Sequence, residues 1–440
     1  MVKVILKHGR DESLRRFHPW VFSGAVAQVQ GSPAEGDIVG VYSAEGQFLA
    51  SGHWQVGSIA VRILSFDADP TAPGFWEDSI ARALAVRQAV GLYAASCQRT
   101  NCFRLVHGEG DGLPGLIIDW YDGVCVMQAH SVGMFRAKMQ ICEALRAVFG
   151  ERLKAVYDKS SGTAPFKAGL DLVDGYLYRA EGFEAAETVV LENGRKFLVN
   201  WEEGQKTGFF LDQRDNRELV GRYAAGRRVL ILFCYTGGFS IYALTAGAEL
   251  VDSVDSSAKA MSLVARNIEL NHTPGSGELP PETSGYAGPL PSDDGPLPLN
   301  VPRVAVFPEA VAASPTPECN NYCEDAIEFL RKTPEGKYDL MIVDPPAFAK
   351  HRGALQNALR AYQRLNAAAI AKVAPGGLVF TFSCSQVVDK ITFANTVFSA
   401  AAQTGRSVRI LDRLCQGSDH PVSIYHPEGE YLKGLLLYVE

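Results

Sequence analysis

The sequence predicts an α/β protein in three parts: a small β-barrel or sandwich, a small mixed α+β region, and a large domain on a parallel, doubly wound sheet. Three observations predict it. The first 70 residues hold short apolar runs broken by turn signals. From Phe75 to about residue 185, helical spacing and hairpin-like strands are mixed. Beyond that, strands and helices alternate to the C-terminus, as crossover helices between parallel strands require.

The first part, residues 1–72, reads VKVIL, GAVAQV, GDIVGVYS, GQFLASGHW and SIAVRIL, punctuated at Gly36-Asp37 and Glu45-Gly46. The second, residues 73–185, opens with the helix WEDSIARALAVRQAVGLY. A hairpin-like pair of strands, FRLVHGEGDGLPGLIIDWYDGVCVMQAH, leads to a helix over MFRAKMQICEALRAVFG, and AVYDKSS and GYLYRAEG close the region. The third, residues 186–440, starts with a helix over 213–224 and the strand RRVLILF. The helix FSIYALTAG, the strand ELVDSVD and the helix AKAMSLVARNIELN come next. Then come EDAIEFLRK, YDLMIVD, a helix around 354–373 and the strand GLVFTFS. Residues 273–321 interrupt this domain with 11 of the chain's 23 prolines and read as a mobile insertion loop unable to pack a core.

At 440 residues the chain is long enough for two or three domains of about 100–200 residues each. Hydrophobic residues make up 47% and charged residues 21%, which excludes a disordered chain. No run approaches the roughly 20 apolar residues of a membrane span, and MVKVILKHGRDE is charged too early for a secretory signal. A cytoplasmic protein without a membrane partner is expected. The nine cysteines are odd in number and form no CxxC pair, and the nearest two spell CNNYC at 319–323; no disulfide framework and no metal is expected.

The net charge of −7 conceals its distribution. The insertion carries six acidic residues against Arg303 alone. Residues 1–22 set Lys3, Lys7, Arg10, Arg15 and Arg16 against Asp11 and Glu12, and residues 195–228 hold eight basic against five acidic residues. Lys7, Arg10, Arg15 and Arg16 lie near His18-Pro19-Trp20, where cations and an aromatic ring suit an RNA backbone or base. A solvated sheet edge is the plainer alternative.

Three strand ends carry chemistry. In VLILFCYTGGFS, a strand runs through Tyr235 and Thr236 into Gly237-Gly238 and a helix, whose N-terminus offers backbone donors to a ligand. Asp255 ends the next strand, where a carboxylate accepts ribose hydroxyls. The pattern is not GxGxxG, so S-adenosyl-L-methionine, a nucleoside without phosphates, fits better than a dinucleotide. In YDLMIVDPPAFAK, Asp344-Pro345-Pro346 ends a third strand and aims Asp344 at the same crevice. Base N-methyltransferases use a similar tetrapeptide with an aromatic directly after the prolines; here that residue is Ala347. In GGLVFTFSCSQ, Cys384 sits between two serines at a strand end. Methylation of a pyrimidine at carbon 5 needs a nucleophile on carbon 6, and a thiolate supplies it. Cys234 is the rival, read as packing beneath the cofactor.

These motifs resemble, from end to end, the ribosomal RNA large subunit methyltransferase I family. HPWVFSGAV (18–26), EGDGLPGLIIDWY (109–121), QKTGFFLDQRDNR (205–217), LFCYTGGFS (232–240), VDPPAFAK (343–350), FSCS (382–385) and QGSDHPVSIYHPEGEYLKG (416–434) carry the likeness. The resemblance implies an N-terminal β-barrel PUA domain that binds RNA, a small central α+β domain and a C-terminal Rossmann-like class I methyltransferase domain. It implies an S-adenosyl-L-methionine-dependent enzyme forming 5-methylcytosine in 23S ribosomal RNA, with a homodimer left open. Methylation of another base, or a non-catalytic RNA-binding role, is the alternative. By motif, Phe210, Asp212 and Arg214 fall at the rim of cofactor and substrate, with a structural ion pair the alternative for Arg214. Asp255 falls on the ribose, and Asp325 on the adenine amine or merely at a helix start. Asp344 and Pro345 fall near the methyl donor, and Cys384 is the nucleophile. No second cysteine adjoins the proline motif, so another base must remove the carbon 5 proton.

Overall fold

The computed structural model describes residues 1–93, 99–165, 169–271, 317–349 and 351–440. The first 65 residues form one six-stranded sheet, ordered Trp20–Phe22, Ile59–Ser65, Phe48–Trp54, Ile38–Tyr42, Val2–Leu6, Val26–Gln30. Neighbours are antiparallel except Val2–Leu6 with Ile38–Tyr42. Alternating residues of these strands, among them Val4, Leu6, Val39, Val41, Val61 and Ile63, turn inward and make a small core of their own.

The helix Phe75–Ala89 leads into a second, five-stranded sheet, with Cys102–His107, Leu116–Tyr121, Val124–Ala129, Ala155–Asp158 and Gly175–Arg179 side by side in chain order. One face packs Cys125, Met127 and Ala129 against the helices Phe75–Ala89 and Lys138–Phe149. The other face, with Val124 and Val126, packs towards Phe197, Phe209 and Tyr242 of the third part. Both faces are therefore buried, which fixes how the middle sheet sits on the third part.

The sequence reading missed a hairpin, Glu187–Glu192 paired with Arg195–Asn200. Asn193 and Gly194 turn it, with φ of 50° and 82°. Asn-Gly between alternating apolar residues is a strong hairpin signal because both turn positions need left-handed backbone.

The large sheet has seven strands, ordered Glu318–Cys323, Leu250–Asp255, Arg228–Leu232, Leu340–Val343, Gly377–Ser383, Lys433–Val439, Val408–Leu414. The first five are parallel, as expected, but Lys433–Val439 runs antiparallel to both its neighbours, Gly377–Ser383 and Val408–Leu414, which corrects the expectation of an all-parallel sheet. No crossover helix joins Val408–Leu414 to Lys433–Val439, and antiparallel strands need none. Residues 415–432 instead form the loop that walls the site. The edge strand Glu318–Cys323 begins inside the stretch read as insertion; residues 272–316 lie outside the described residues. Chain order reverses at Arg228–Leu232, whose neighbours Leu250–Asp255 and Leu340–Val343 lie on opposite sides. A crevice opens beyond the carboxyl ends at such a point.

Candidate active site

Strand Arg228–Leu232 ends in a tight turn before the helix Gly238–Thr245. Phe233 and Tyr235 adopt φ of 60° and 47°, a region that L residues rarely occupy and that costs about 1–3 kcal/mol each. Neighbouring groups hold the turn. The Tyr235 N–H donates to Asp255 Oδ2 at 3.0 Å, the Cys234 N–H to the Val254 carbonyl at 3.1 Å, and the Gly237 N–H to the Cys234 carbonyl at 2.8 Å. Gly237 itself, at φ 80°, sits where L residues are strained, and a Cβ there would press on Val264 at 3.1 Å. Asp255 thus orders the turn through one oxygen, while its other oxygen accepts the Ser257 N–H at 2.9 Å.

A cavity of about 290 Å³ lies against this turn. Its lining includes Phe210, Asp212, Tyr235, Thr236, Gly238, Asp255, Asp344, Pro345 and Cys384. These are predicted residues drawn from separate stretches of chain, brought to one place. A second cavity of about 590 Å³ adjoins it, walled by all three parts of the chain. Lys206, Phe209, Phe210, Asp212 and Cys384 line both. Cys384 therefore stands between the crevice at the glycine turn and the larger space that opens towards the first sheet.

The carboxyls of the site are driven apart. Burial pushes Asp344 up to about 7, with the nearby Asp212 charge adding to it. Gln213 Nε2 donates to Asp344 Oδ2 at 2.9 Å, and Gln213 Oε1 is held by Asn216 Nδ2 at 2.6 Å, which fixes which way the amide faces. Burial alone would raise Asp212 too, but Lys206, His420, the Tyr431 hydroxyl at 2.6 Å and Arg104 hold it below the ordinary value. Asp212 is the fixed anion and Asp344 the group that exchanges a proton near neutrality. Such a split marks acid–base work.

The Cys384 thiol is pushed up to about 11, first by burial and then by the Asp344 charge, while Lys206 pulls it down. Its neighbours are locked: Ser383 Oγ donates to the Tyr362 hydroxyl at 3.0 Å, and Ser385 Oγ to the Ala349 carbonyl at 2.6 Å. Lys433, lowered to about 8 by burial, donates to the carbonyls of Ser385 and Tyr431, each at 2.6 Å. Cys234 differs. It lines only the smaller cavity, its sulfur lies 3.8 Å from Met261 Sδ, and burial raises its thiol far out of reach of neutral pH.

Not every predicted residue joins the site. Arg214 lines neither cavity; it is 2% exposed and pairs with Asp419 at 2.6 Å and Glu192 at 3.8 Å, so the structural alternative describes it. Arg217, one turn on, lines the smaller cavity and donates to both Glu192 oxygens and to the Phe210 carbonyl. Asp325 is exposed and caps the helix Ala326–Lys332, accepting the Ile327 and Glu328 N–H groups, and it is not among the lining residues. Trp20 lines the larger cavity. Lys7, Arg10, Arg15 and Arg16 are exposed and outside it: Lys7 donates to the Gly24 carbonyl, Arg15 pairs with Asp11 at 2.7 Å, and Arg16 pairs with Glu12. Among the described residues one group, His18, His426 and Glu428, brings ligand atoms within 4.8 Å of one another; it includes neither Asp344 nor Cys384. Lys206, Gln213 and Lys433 escaped the sequence reading, although QKTGFFLDQ and YLKG sit inside stretches that carry the family resemblance. Lys433 is buried, and a lone buried cation leaves no periodic trace.

Residues 4–66 match the model of a PUA-like domain, and residues 103–275 that of an S-adenosylmethionine-dependent methyltransferase. The ribosomal RNA large subunit methyltransferase I of Aeromonas hydrophila is 37% identical over 99% of this chain and 98% of its own. That of Shewanella amazonensis is 36% identical over 100% and 99%. The chain belongs to the ribosomal RNA large subunit methyltransferase I family. It is an S-adenosylmethionine-dependent methyltransferase. Two solved structures share its fold over 100% of both chains at 21% identity: SMU.776, solved in complex with SAH, at a TM-score of 0.76, and a Streptococcus mutans protein assigned to the same enzyme class, at 0.75. The turn at Gly237, the Asp255 carboxylate and the adjoining cavity suit a nucleoside that carries a sulfonium: backbone donors, hydroxyl acceptors and aromatic walls are present, and no phosphate cradle is needed.

Proposed function

We propose that the enzyme methylates carbon 5 of a cytosine in 23S ribosomal RNA through a covalent adduct on Cys384. The relatives named above are large-subunit ribosomal RNA methyltransferases, and the observation that carries the chemistry is the position of Cys384 in the walls of both cavities. Phe210, Asp212, Tyr235, Thr236, Gly237, Gly238, Asp255 and Pro345 hold S-adenosylmethionine, which when bound supplies an electrophilic methyl group. It acts in the cytoplasm; no described helix is long and apolar enough to cross a membrane.

The chain's own residues divide the work. The target cytosine leaves its stack and enters the larger cavity. Cys384 loses its proton to water, helped by the Lys206 cation, and its sulfur adds to carbon 6. Carbon 5, now electron-rich, takes the methyl group. The Asp344 carboxylate removes the carbon 5 proton, the carbon–sulfur bond breaks, and the thiolate is restored, leaving one proton and S-adenosylhomocysteine as the other products. A carboxyl near 7 suits that step, because general-base efficiency peaks when the pKa lies near the working pH.

The test is the nucleoside content of 23S RNA from cells lacking this enzyme. One 5-methylcytosine should vanish, return with the wild-type chain, and stay absent with Cys384→Ala. A modification that vanishes at guanine N7 or an exocyclic amine would replace this chemistry with another.

A further inference from the structure

The larger cavity is more than one cytosine ring fills, and its far end is built. His107, Ile117 and Gln128 lie in register across three strands of the middle sheet, and all three line it. Val124 and Val126 precede Gln128 on the same face and are buried in apolar core. A glutamine therefore ends an apolar row, and it is 7% exposed. Its amide makes no hydrogen bond among the described residues, although it opens on the cavity. His130, two residues on, is exposed, also lines the cavity, and makes no ring hydrogen bond among the described residues.

Another part of the wall comes from the first sheet. Trp20 Nε1 and Arg62 Nη1 both donate to Glu109 Oε1 at 2.9 Å, and the Arg62 guanidinium lies 5.4 Å from the Trp20 ring centre. The ring is thereby fixed in orientation, and Glu109 Oε2 has no donor among the described residues. A rigid aromatic ring, held by Arg62 and packed by His426 at 4.3 Å, a carboxylate acceptor, and an amide and imidazole without partners among the described residues together line this space with groups that an unpaired base can meet.

We propose that this end of the cavity binds an unpaired nucleobase adjacent to the target, held against the Trp20–His426 aromatic pair and read along its edge by Gln128, His130 and Glu109. Glu109 Oε2 can only accept, so it takes an N–H of the base edge, from an exocyclic amine or from a ring imide. The first domain then selects the substrate inside the catalytic cavity rather than serving as a separate tether. This rests on the reading of RNA as substrate, not on the carbon 5 chemistry.

The test is methyl transfer by the full-length chain to unmodified 23S RNA, with S-adenosylmethionine affinity and thermal stability measured alongside. Gln128→Met keeps the volume and removes the amide. It should raise KM for RNA about tenfold with kcat and cofactor affinity little changed, and it should leave the free protein as stable or more so. A merely structural glutamine would show the reverse, lower stability with unchanged KM. Glu109→Gln keeps one oxygen for Trp20 and Arg62 and turns the other atom into a donor; it should also raise KM for RNA. Unchanged KM in both variants overturns the inference, as does an equivalent of zinc that is lost in His426→Phe and whose removal alone reproduces the KM effect. If the wild-type chain makes no 5-methylcytosine yet Gln128→Met still weakens RNA binding, the chemistry falls and this inference stands.

Discussion

Replacing Asp344 by Asn should make the protein more stable while abolishing its activity, and the gain should depend on pH. The carboxyl is raised from 3.8 to about 7, chiefly by burial. In the unfolded chain it ionises near 3.9. Between those values the folded state holds a proton that the unfolded state has released, so stability falls as pH rises from about 4 to about 7 and stays low above. Three units at about 1.4 kcal/mol each set a ceiling of about 4 kcal/mol. Asp344 faces a cavity that water enters, and screening there cuts the figure to about 2–3 kcal/mol. Asn removes the ionisation and still accepts from Gln213 Nε2. Urea unfolding of both proteins at pH 4, 6 and 8 measures it: the curves should nearly coincide at pH 4 and separate by about 2–3 kcal/mol at pH 8. A difference of the same size at every pH, or an Asn variant less stable at pH 8, would refute the argument that burial holds this carboxyl protonated.

The same geometry sets three further outcomes. The rate of methyl transfer should fall on the acid side with an apparent pKa of about 7, since Asp344 acts as its carboxylate; a flat profile between pH 6 and 8 removes it as the base. Asp255→Ala should weaken S-adenosylmethionine binding by about 1.5–3 kcal/mol per lost hydrogen bond, read by calorimetry, and should also loosen the Tyr235 turn, which gives up its 3.0 Å bond. Neutralising Arg15 and Arg16 should flatten the salt dependence of RNA binding without touching cofactor affinity, because both are exposed and outside the cavities; an unchanged slope moves the backbone contacts to residues 195–228.

The parts of this molecule that obey local rules are legible in its sequence. Strand–helix alternation marks the large sheet, and glycine and proline at strand ends mark Gly237 and Asp344, because backbone geometry at those points leaves few alternatives. What escapes is set by distant packing. Arg214 and Arg217 stand three residues apart on one helix, carry the same charge and are equally buried, yet Asp419 holds one away from the cavities while the other, paired with Glu192, lines the smaller one. Asp325 has the position of a ligand and caps a helix, a choice the sequence leaves open. The antiparallel edge depends on the missing crossover between Leu414 and Lys433, an absence that strand patterns alone do not register. The hairpin at Asn193-Gly194, by contrast, is a local signal, and nothing physical hides it.

The central claim is that Cys384, and not Cys234, bonds to the target base. RNA carrying 5-fluorocytosine tests it directly, because fluorine at carbon 5 cannot leave as a proton and the adduct persists. Denaturing electrophoresis should show the wild-type chain and Cys234→Ala shifted by attached RNA in the presence of S-adenosylmethionine, and Cys384→Ala unshifted. A shifted Cys384→Ala, or a Cys234→Ala that escapes trapping, contradicts the account.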